Sequence, residues 1–456
     1  MMSSLQQRDT REARLLDLCY TATRAAVQAG ATDAEAFGTV RETREVSYEK
    51  NDLNLARSDE ELLVGIRVFC GQSRGFVTTN EPATIAEAAR QAVTLARSSP
   101  ADSHDGLPEL RELAPADNLY DPALADLDTA TLTKLTHQLT SNVYALDPRI
   151  TLDQARLSVE EVTEVIHTTR GIVASSRATY LSGFVVGMAL ASGEVGSFTY
   201  DGAVGNNLQL VEAELATAAR RFVEKAVSAL GPRKGRSFKG TVILTPDAVG
   251  ELLVEPLLAA LAADAVRKGR SPLRGKLGSQ LADSRLNLRD PGTRLGSFGM
   301  RHFDREGQPI RPLDLVVNGQ LESFLYDSYE ARLADRRSTG HARGSAQTPP
   351  RLSAGLAEIL PGDRPASELE AACDLALLVP RFSGRVEMST GDISGVVKGG
   401  FLLDHGERLP VTETMIAGNL YEALREIAAL SSDRQQIFGT ACFPAMLLEG
   451  ISVIAC

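Results

Sequence analysis

Tryptophan is absent from this chain of 456 residues, aromatic residues make up only 5% of it, and it has six histidines and five cysteines. The histidines, His104, His137, His167, His302, His341 and His405, are widely spaced. None can form the i, i+4 pair with which one helix face offers zinc two ligands; a metal site would have to be gathered from distant residues. Cys19, Cys70, Cys373, Cys442 and Cys456 are odd in number, scattered and without a CxxC motif, which reads as reduced thiols and not as a disulfide framework. The terminal Cys456 reads either as a reactive thiol or as a plain chain end. No run of about 18 apolar residues offers a membrane span, and the polar stretch Met1–Arg14 lacks the apolar core of a signal peptide. These readings point to a cytoplasmic protein. Excess basic charge is also missing: 48 Lys and Arg stand against 59 Asp and Glu, a net charge of −11. The chain therefore lacks the overall electrostatic footprint of a nucleic-acid binder. What is present, 43% hydrophobic residues and a mean hydropathy of −0.09, suits a globular protein with more than one core.

The spacing predicts a first helix over Asp9–Ala29, with Asp9 and Glu12 as a capping box and Gly30 as its stop. Alternating runs from Val40 to Phe69, broken at Asn51-Asp52 and Gly71, predict a β-meander. Thr84 and Glu87 form a second capping box, opening a helix that ends near Arg97. Residues 98–128 are rich in proline and acid, either a linker or a functional excursion. A helix carrying Leu132, Leu135, Leu139 and Val143 follows, then strands over 150–202, then a helix over 208–230 stopped by Gly231-Pro232. Gly231–Arg236 is the predicted boundary between an N-terminal α+β domain with an antiparallel sheet (1–230) and a C-terminal domain (231–456). The latter is expected to be a curved, mainly antiparallel sheet with flanking helices, giving an α+β fold overall. In it, Thr241–Leu244 reads as a strand, Thr245 and Pro246 open a helix, and Pro256 should kink or end that helix. Asn318-Gly319 marks a two-residue hairpin, and a helix is expected around Leu420–Leu430.

Familiar chemistry is scarce. Gly269–Lys276 imitates a phosphate loop but has one residue too many, with Leu277 where a metal-binding hydroxyl belongs. There is no G-x-S-x-G elbow. Ser338-Thr339-Gly340-His341 and Ser389-Thr390-Gly391-Asp392 pair hydroxyls with a base or acid, but adjacent side chains on extended backbone point to opposite faces. Hydroxyls beside glycine usually serve turns. Phe382–Phe401, with Gly384, Gly391, Gly395, Gly399 and Gly400, suits either the wall of a peptide channel or ordinary turns in a curved sheet.

Several segments in order resemble the TldD/PmbA family, and its PmbA (TldE) branch in particular. They are Arg336–Ala342, Pro380–Gly384 and Thr414–Asn419, supported by Lys276-Leu277-Gly278, Asp304–Gly307 and Val64–Val68. The resemblance implies an intracellular zinc metallopeptidase built as a TldD–TldE heterodimer. Its substrates are unfolded or small peptides, or peptide-like intermediates trimmed in natural-product pathways. In the catalytic branch a helix carries H-E-x-x-x-H, and a later cysteine completes the site. Here the matching stretch is Pro246–Ala259: Val254 replaces the first histidine, Glu255 keeps the glutamate, and Ala259 replaces the second histidine. The cysteine region falls near Ser431-Ser432-Asp433. Valine and alanine cannot bind zinc, and Glu255 alone has no metal-bound water to deprotonate. The expected chain is thus a non-catalytic, TldE-like subunit with no cofactor of its own, the zinc being held by a TldD-like partner. Ser338, Thr339, His341, Arg381, Ser383, Thr390 and Asp392 are candidate substrate-channel residues. The alternatives are a homodimeric peptide-binding protein without catalysis, and an autonomous hydrolase using His341, Asp392 or Cys442.

Overall fold

The computed structural model describes residues 4–113, 119–191 and 193–455, with side chains from residue 11 onward; Cys456 and residues 114–118 of the proline- and acid-rich stretch lie outside them. Two sheets organise the chain in an α+β fold. The first half runs α1 (Ser4–Gln28), β1 (Asp33–Glu49), β2 (Asp52–Cys70), β3 (Ser73–Thr79), α2 (Ile85–Ser98), α3 (Pro122–Ala125), α4 (Thr129–Leu146), β4 (Ile150–Thr168), β5 (Val173–Ala191), β6 (Glu194–Val195), β7 (Thr199–Gly205) and α5 (Leu208–Ser228). Its strands form an antiparallel sheet in the order β3-β2-β1-β4-β5-β6, with β7 also on β5.

Alternation in the strands and 3.6-residue spacing in the helices bring the apolar faces together. Leu15, Cys19, Ala22 and Ala26 of α1 and Ile85, Ala89, Ala92 and Ala96 of α2 meet Ala34, Ala36, Val64 and Ile66 of the sheet. Farther along, Leu132 and Val143 of α4 and Leu215 and Phe222 of α5 meet Leu152, Leu157 and Leu181. Each fully buried Leu, Ile or Phe contributes about 1.5–3 kcal/mol. Helix α2 approaches β3 so closely that a Cβ on Gly75 would lie 2.0 Å from the Ala92 carbonyl oxygen, so only glycine fits there. The hairpin between β1 and β2 turns at Lys50 and Asn51, both at positive φ, one residue from where the sequence places its break.

The second half continues with β8 (Phe238–Leu244), α6 (Pro246–Val249), a π-helical turn (Gly250–Val254), α7 (Glu255–Ala260), β9 (Leu288–Asp290), β10 (Leu313–Val317), β11 (Gln320–Leu321), β12 (Ala342–Arg343), β13 (Arg351–Leu352), β14 (Ala357–Ile359), β15 (Leu375–Val379), β16 (Arg381–Val386), β17 (Asp392–Lys398), β18 (Phe401–Asp404), β19 (Glu407–Pro410), β20 (Thr414–Asn419), β21 (Ile427–Ile437) and β22 (Ala441–Ala455). Apart from the β12–β13 ladder, the strands join one mixed sheet. Only β14–β22 and β8–β15 run parallel within it. The Asn318-Gly319 hairpin forms as expected, both residues at positive φ.

Four local expectations are corrected. Asp9 lies inside α1, which begins at Ser4, so it cannot be that helix's N-cap. Thr84 precedes α2 without capping it; its hydroxyl donates to the Glu81 carbonyl at 2.9 Å, holding the 3-10 turn that leads in. The helix expected over 420–430 stops at Ala423, and Ile427 onward is β21. Pro256 does not end its helix, although the turn before it is π-helical and not α-helical. A regular turn would drive the proline ring against the Leu252 carbonyl and leave that carbonyl without a donor. The preceding turn widens instead, the Glu255 N–H donating to the Gly250 carbonyl in i→i−5 fashion, and the helix resumes.

Residues 98–128 begin and end in the first half, so they are an excursion and not a connection between halves. Its residues 102–109 lie against the second half, where the Arg332 Nε–H donates to the His104 carbonyl at 2.7 Å, Tyr329 donates to Asp102 at 2.8 Å, and Gln308 donates to the Glu109 carbonyl at 2.9 Å, while Leu124 packs in the core of the first half.

Candidate functional site

The seam between the two sheets holds a cleft with two adjoining lobes of about 560 and 780 Å³, within the size range of ligand sites. Ser197, Phe198, Ala229, Arg381, Lys398 and Gly399 border both lobes. Three elements place charged and polar groups on the cleft's lining or in contact with it. Strand β7 presents Tyr200 and, on its opposite face, the buried Asp201. Helix α5 carries Arg221 and Lys225 at i, i+4, one above the other. Helix α6, its π turn and the first residue of α7 carry Asp247, Glu251 and Glu255, again at four-residue spacing.

Asp201 accepts from Arg221 at 2.7 Å and from Lys225 at 2.9 Å. Lys225 reaches on to Asp247 at 3.1 Å, in the first turn of α6, where the helix dipole favours an acid. Burial works against charge on Lys225, but Asp247 and Asp201 override it and its pKa is raised. Next along the helix, Glu251 accepts the Phe382 N–H at 2.7 Å, closing the start of the edge strand β16. Burial raises the Glu251 carboxyl above its ordinary value, Asp247 and Glu255 adding to the rise while the Phe382 N–H and Arg381 oppose it. Tyr200 is likewise raised by burial, with Arg381 opposing. The Arg381 guanidinium carbon lies 4.4 Å from the centroid of the Tyr200 ring. These groups bind and orient charge.

The seven channel candidates fall in three places. Arg381 and Ser383 border the cleft. Thr390 and Asp392 stand at the β16–β17 turn, where Thr390 donates to Asp392 at 2.8 Å and Asn419 donates to the Thr390 carbonyl at 2.8 Å. Ser338 and Thr339 line a smaller cavity of about 240 Å³ with Arg111, Arg311 and Arg337. Behind them His341 is buried. Its Nε2 lies 3.1 Å from Asp290 and its Nδ1 2.8 Å from the Thr339 hydroxyl. Thr339 and His341, two residues apart, therefore do share a face, and a hydroxyl–imidazole–carboxylate row exists. The hydroxyl, however, accepts the Tyr326 N–H at 2.8 Å and lies 3.0 Å from the Tyr326 carbonyl, so it is tied up in a backbone bridge and is not a free nucleophile. Asp392 and Cys442 make no contact with His341 among the described hydrogen bonds.

The degenerate motif offers zinc no donor set. Val254 is packed in the large core of the second half, while Glu255 and Ala259 are exposed. Among the described residues no three metal-binding side chains are gathered anywhere. Ser431 is buried and Asp433 borders the larger lobe of the cleft; the Ser431 hydroxyl donates to the Asp433 carbonyl at 2.6 Å and accepts the Ala445 N–H at 2.9 Å, holding a bulge in β21.

Sequence reasoning missed Tyr200, Asp201, Arg221, Lys225, Asp247, Glu251, Lys398 and Asp290. The recurrence of Asp247, Glu251 and Glu255 was a readable signal of an acidic helix face. Nothing local marked Tyr200.

Comparison with known proteins agrees with this architecture. A family profile described as the PmbA/TldA metallopeptidase C-terminal domain matches residues 237–455, and one described as PmbA/TldA metallopeptidase domain 1 matches residues 34–96. The chain is 26% identical to a protein named metalloprotease PmbA homolog of Haemophilus influenzae, over 90% of this chain and 89% of that one. It is 27% identical to metalloprotease PmbA of Escherichia coli O157:H7, over 85% and 84%. Among solved structures, TldE from Thermococcus kodakarensis superposes with a TM-score of 0.89 at 19% identity, covering 96% of this chain and 100% of the other. With both domain profiles in order along the chain, this protein belongs to the PmbA/TldD metallopeptidase family.

Proposed function

We propose that this chain is a non-catalytic, TldE-like subunit that packs against a zinc-bearing TldD-like partner and shapes the chamber in which that partner cleaves peptides. The reading rests on Val254, a core residue, and the exposed Ala259, which stand where the resemblance places the catalytic branch's two histidines, in a chain whose fold superposes on TldE from Thermococcus kodakarensis over 96% of its length. Glu255 alone cannot activate water. In this reading the zinc resides in the partner, the substrates are unfolded or small peptides or peptide-like intermediates, and the complex works in the cytoplasm. No described helix is long and apolar enough to cross a membrane, and the net charge of −11 speaks against nucleic acid as the partner.

Co-expression with a TldD-type chain carrying H-E-x-x-x-H tests the proposal. The two chains should co-purify, zinc should follow the partner, and peptide hydrolysis should require both. If they never associate, or the partner hydrolyses peptides equally well alone, the reading is wrong. Stoichiometric zinc in this chain alone, lost on His341→Ala, would favour an autonomous hydrolase. A stable homodimer that binds peptides without zinc would favour a capture protein.

A further inference from the structure

Strands β16 and β17 set Arg381 directly opposite Lys398, and both side chains border the seam cleft. Like charges directly opposite on an antiparallel ladder repel. Lys398 has a partner, its ammonium meeting the Glu413 carboxylate. Arg381 has none: among the described residues no carboxylate forms an ion pair with its guanidinium, and its Nε is buried without a hydrogen-bond partner. Glu251, the acid nearest along the helix, turns one oxygen to the Phe382 N–H instead.

The other cations bordering the larger lobe are all answered. Arg221 pairs with Asp201 and Glu214, Lys225 with Asp201 and Asp247, and Arg408 with Glu370 at 3.6 Å. An Arg donor left unmade in a partly desolvated place costs stability unless a ligand supplies the acceptor. The guanidinium carbon lies over the Tyr200 ring, which holds the group at the cleft, and its fork of donors suits a planar, two-oxygen acceptor. Beside it, Gly399 at φ +65° and Gly400 leave the wall without side chains where a backbone must come close.

We infer that Arg381 is the anchor of an anion subsite in the seam cleft, and that its ligand is a carboxylate of a bound peptide, either the chain terminus or an Asp or Glu side chain. The acids at the rim, Glu224, Glu370, Glu413 and Asp433, disfavour a dianionic phosphate and leave room for a single negative charge. That the carboxylate belongs to a peptide rests on the function proposed above; that the anion is a carboxylate rests on the cleft itself.

Calorimetric titration of the full chain tests this without a partner protein, so the heterodimer can fail while the subsite stands, and the reverse. The probes are acetyl-Ala-Ala-Ala with a free carboxylate, its C-terminal amide, amidated acetyl-Ala-Asp-Ala, and inorganic phosphate. At least one carboxylate peptide should bind about tenfold or more tightly than the neutral amide, a difference of about 1.4 kcal/mol. Which one does so identifies terminus or side chain. Arg381→Gln should abolish the preference and Arg381→Lys should keep part of it, with melting temperatures near that of the unmodified protein. Should Arg381→Gln fold poorly, Tyr200→Leu, which removes the stacking surface and leaves the charge, should still reduce the preference. Equal binding of acid and amide, no binding of any peptide, tighter binding of phosphate, or a preference untouched by Arg381→Gln would each overturn the inference.

Discussion

Asp327 caps the helix Ser328–Leu333 by accepting the Glu330 N–H at 2.8 Å, yet it is buried next to Glu306. Burial first, and that neighbour second, push its carboxyl up to about 6 from 3.8. A raised acid pKa means that the ionised form is the costly one in the folded state. The cost is absent below about pH 4, grows as pH rises through the interval, and is complete above about pH 6. Asparagine caps a helix as well as aspartate does and carries no charge. Asp327→Asn should therefore raise stability at pH 8 by roughly 1–3 kcal/mol and leave it unchanged near pH 4. Melting temperatures at the two pH values check this; equal shifts at both would show that charge is not the cause. Asp201 presents the opposite case. It is the shared acceptor of Arg221 and Lys225, so Asp201→Ala leaves two cations short of a counter-charge and should cost about 3 kcal/mol by denaturant titration. A loss under about 1 kcal/mol would mean that solvent replaces the carboxylate.

At the scale of elements, the β16–β17 hairpin shows why its glycines are there. Gly384 and Gly395 face each other across the ladder, and a Cβ on Gly395 would lie 2.5 Å from the Gly384 Cα and 2.6 Å from the Phe382 ring. The ring lies over the pair and supplies the packing that the glycines lack. Gly395→Ala should cost about 1–3 kcal/mol. In Phe382→Ala the same substitution should cost less, because the ring contact is gone, but not nothing, because the contact with the Gly384 Cα remains; a double-mutant cycle measures the coupling. Additive losses would show that the ring is not what crowds the site. Such turns were legible in the sequence because their cause is largely local: Asn318-Gly319 takes positive φ at both residues, as those types favour, and the break expected at Asn51-Asp52 falls one residue from the turn at Lys50-Asn51. That Val254 and Ala259 cannot be zinc ligands was legible for the same reason, since neither side chain has a donor atom in any fold. The passage of the helix beyond Pro256 was not legible, because the widened turn is held by the burial of Leu252, Leu253 and Val254 in the core of the second half. Nor was the cleft, whose walls come from β7, α5, β16 and β17, brought together only by the meeting of two sheets.

For the whole molecule, the deciding feature is a plug from the second half seated on the sheet of the first. Phe303 and Ala346 pack with Phe37, Ile166, Ile172 and Ala174. The fully buried Arg305 lies 4.0 Å from the Phe37 ring centroid and donates to Glu35 at 2.8 Å. Arg67 bridges Glu35 and Glu306 within the same cluster. Burial opposes the charge on Glu35, but Arg67 and Arg305 outweigh it and hold that carboxyl below its ordinary range. The cleft depends on this joint, because Tyr200 and Arg381 belong to opposite halves and meet only while the halves are locked. Arg305→Met fills the space with an apolar chain but leaves Glu35 to Arg67 alone, so it should cost about 3–5 kcal/mol. The loss falls between the halves and not within either core. Calorimetry should therefore show one cooperative transition in the unmodified chain and two resolved transitions in Arg305→Met, with the affinity for a carboxylate peptide falling in the same variant. A single transition merely moved to lower temperature, with the peptide preference intact, would show that the two halves hold together without this arginine.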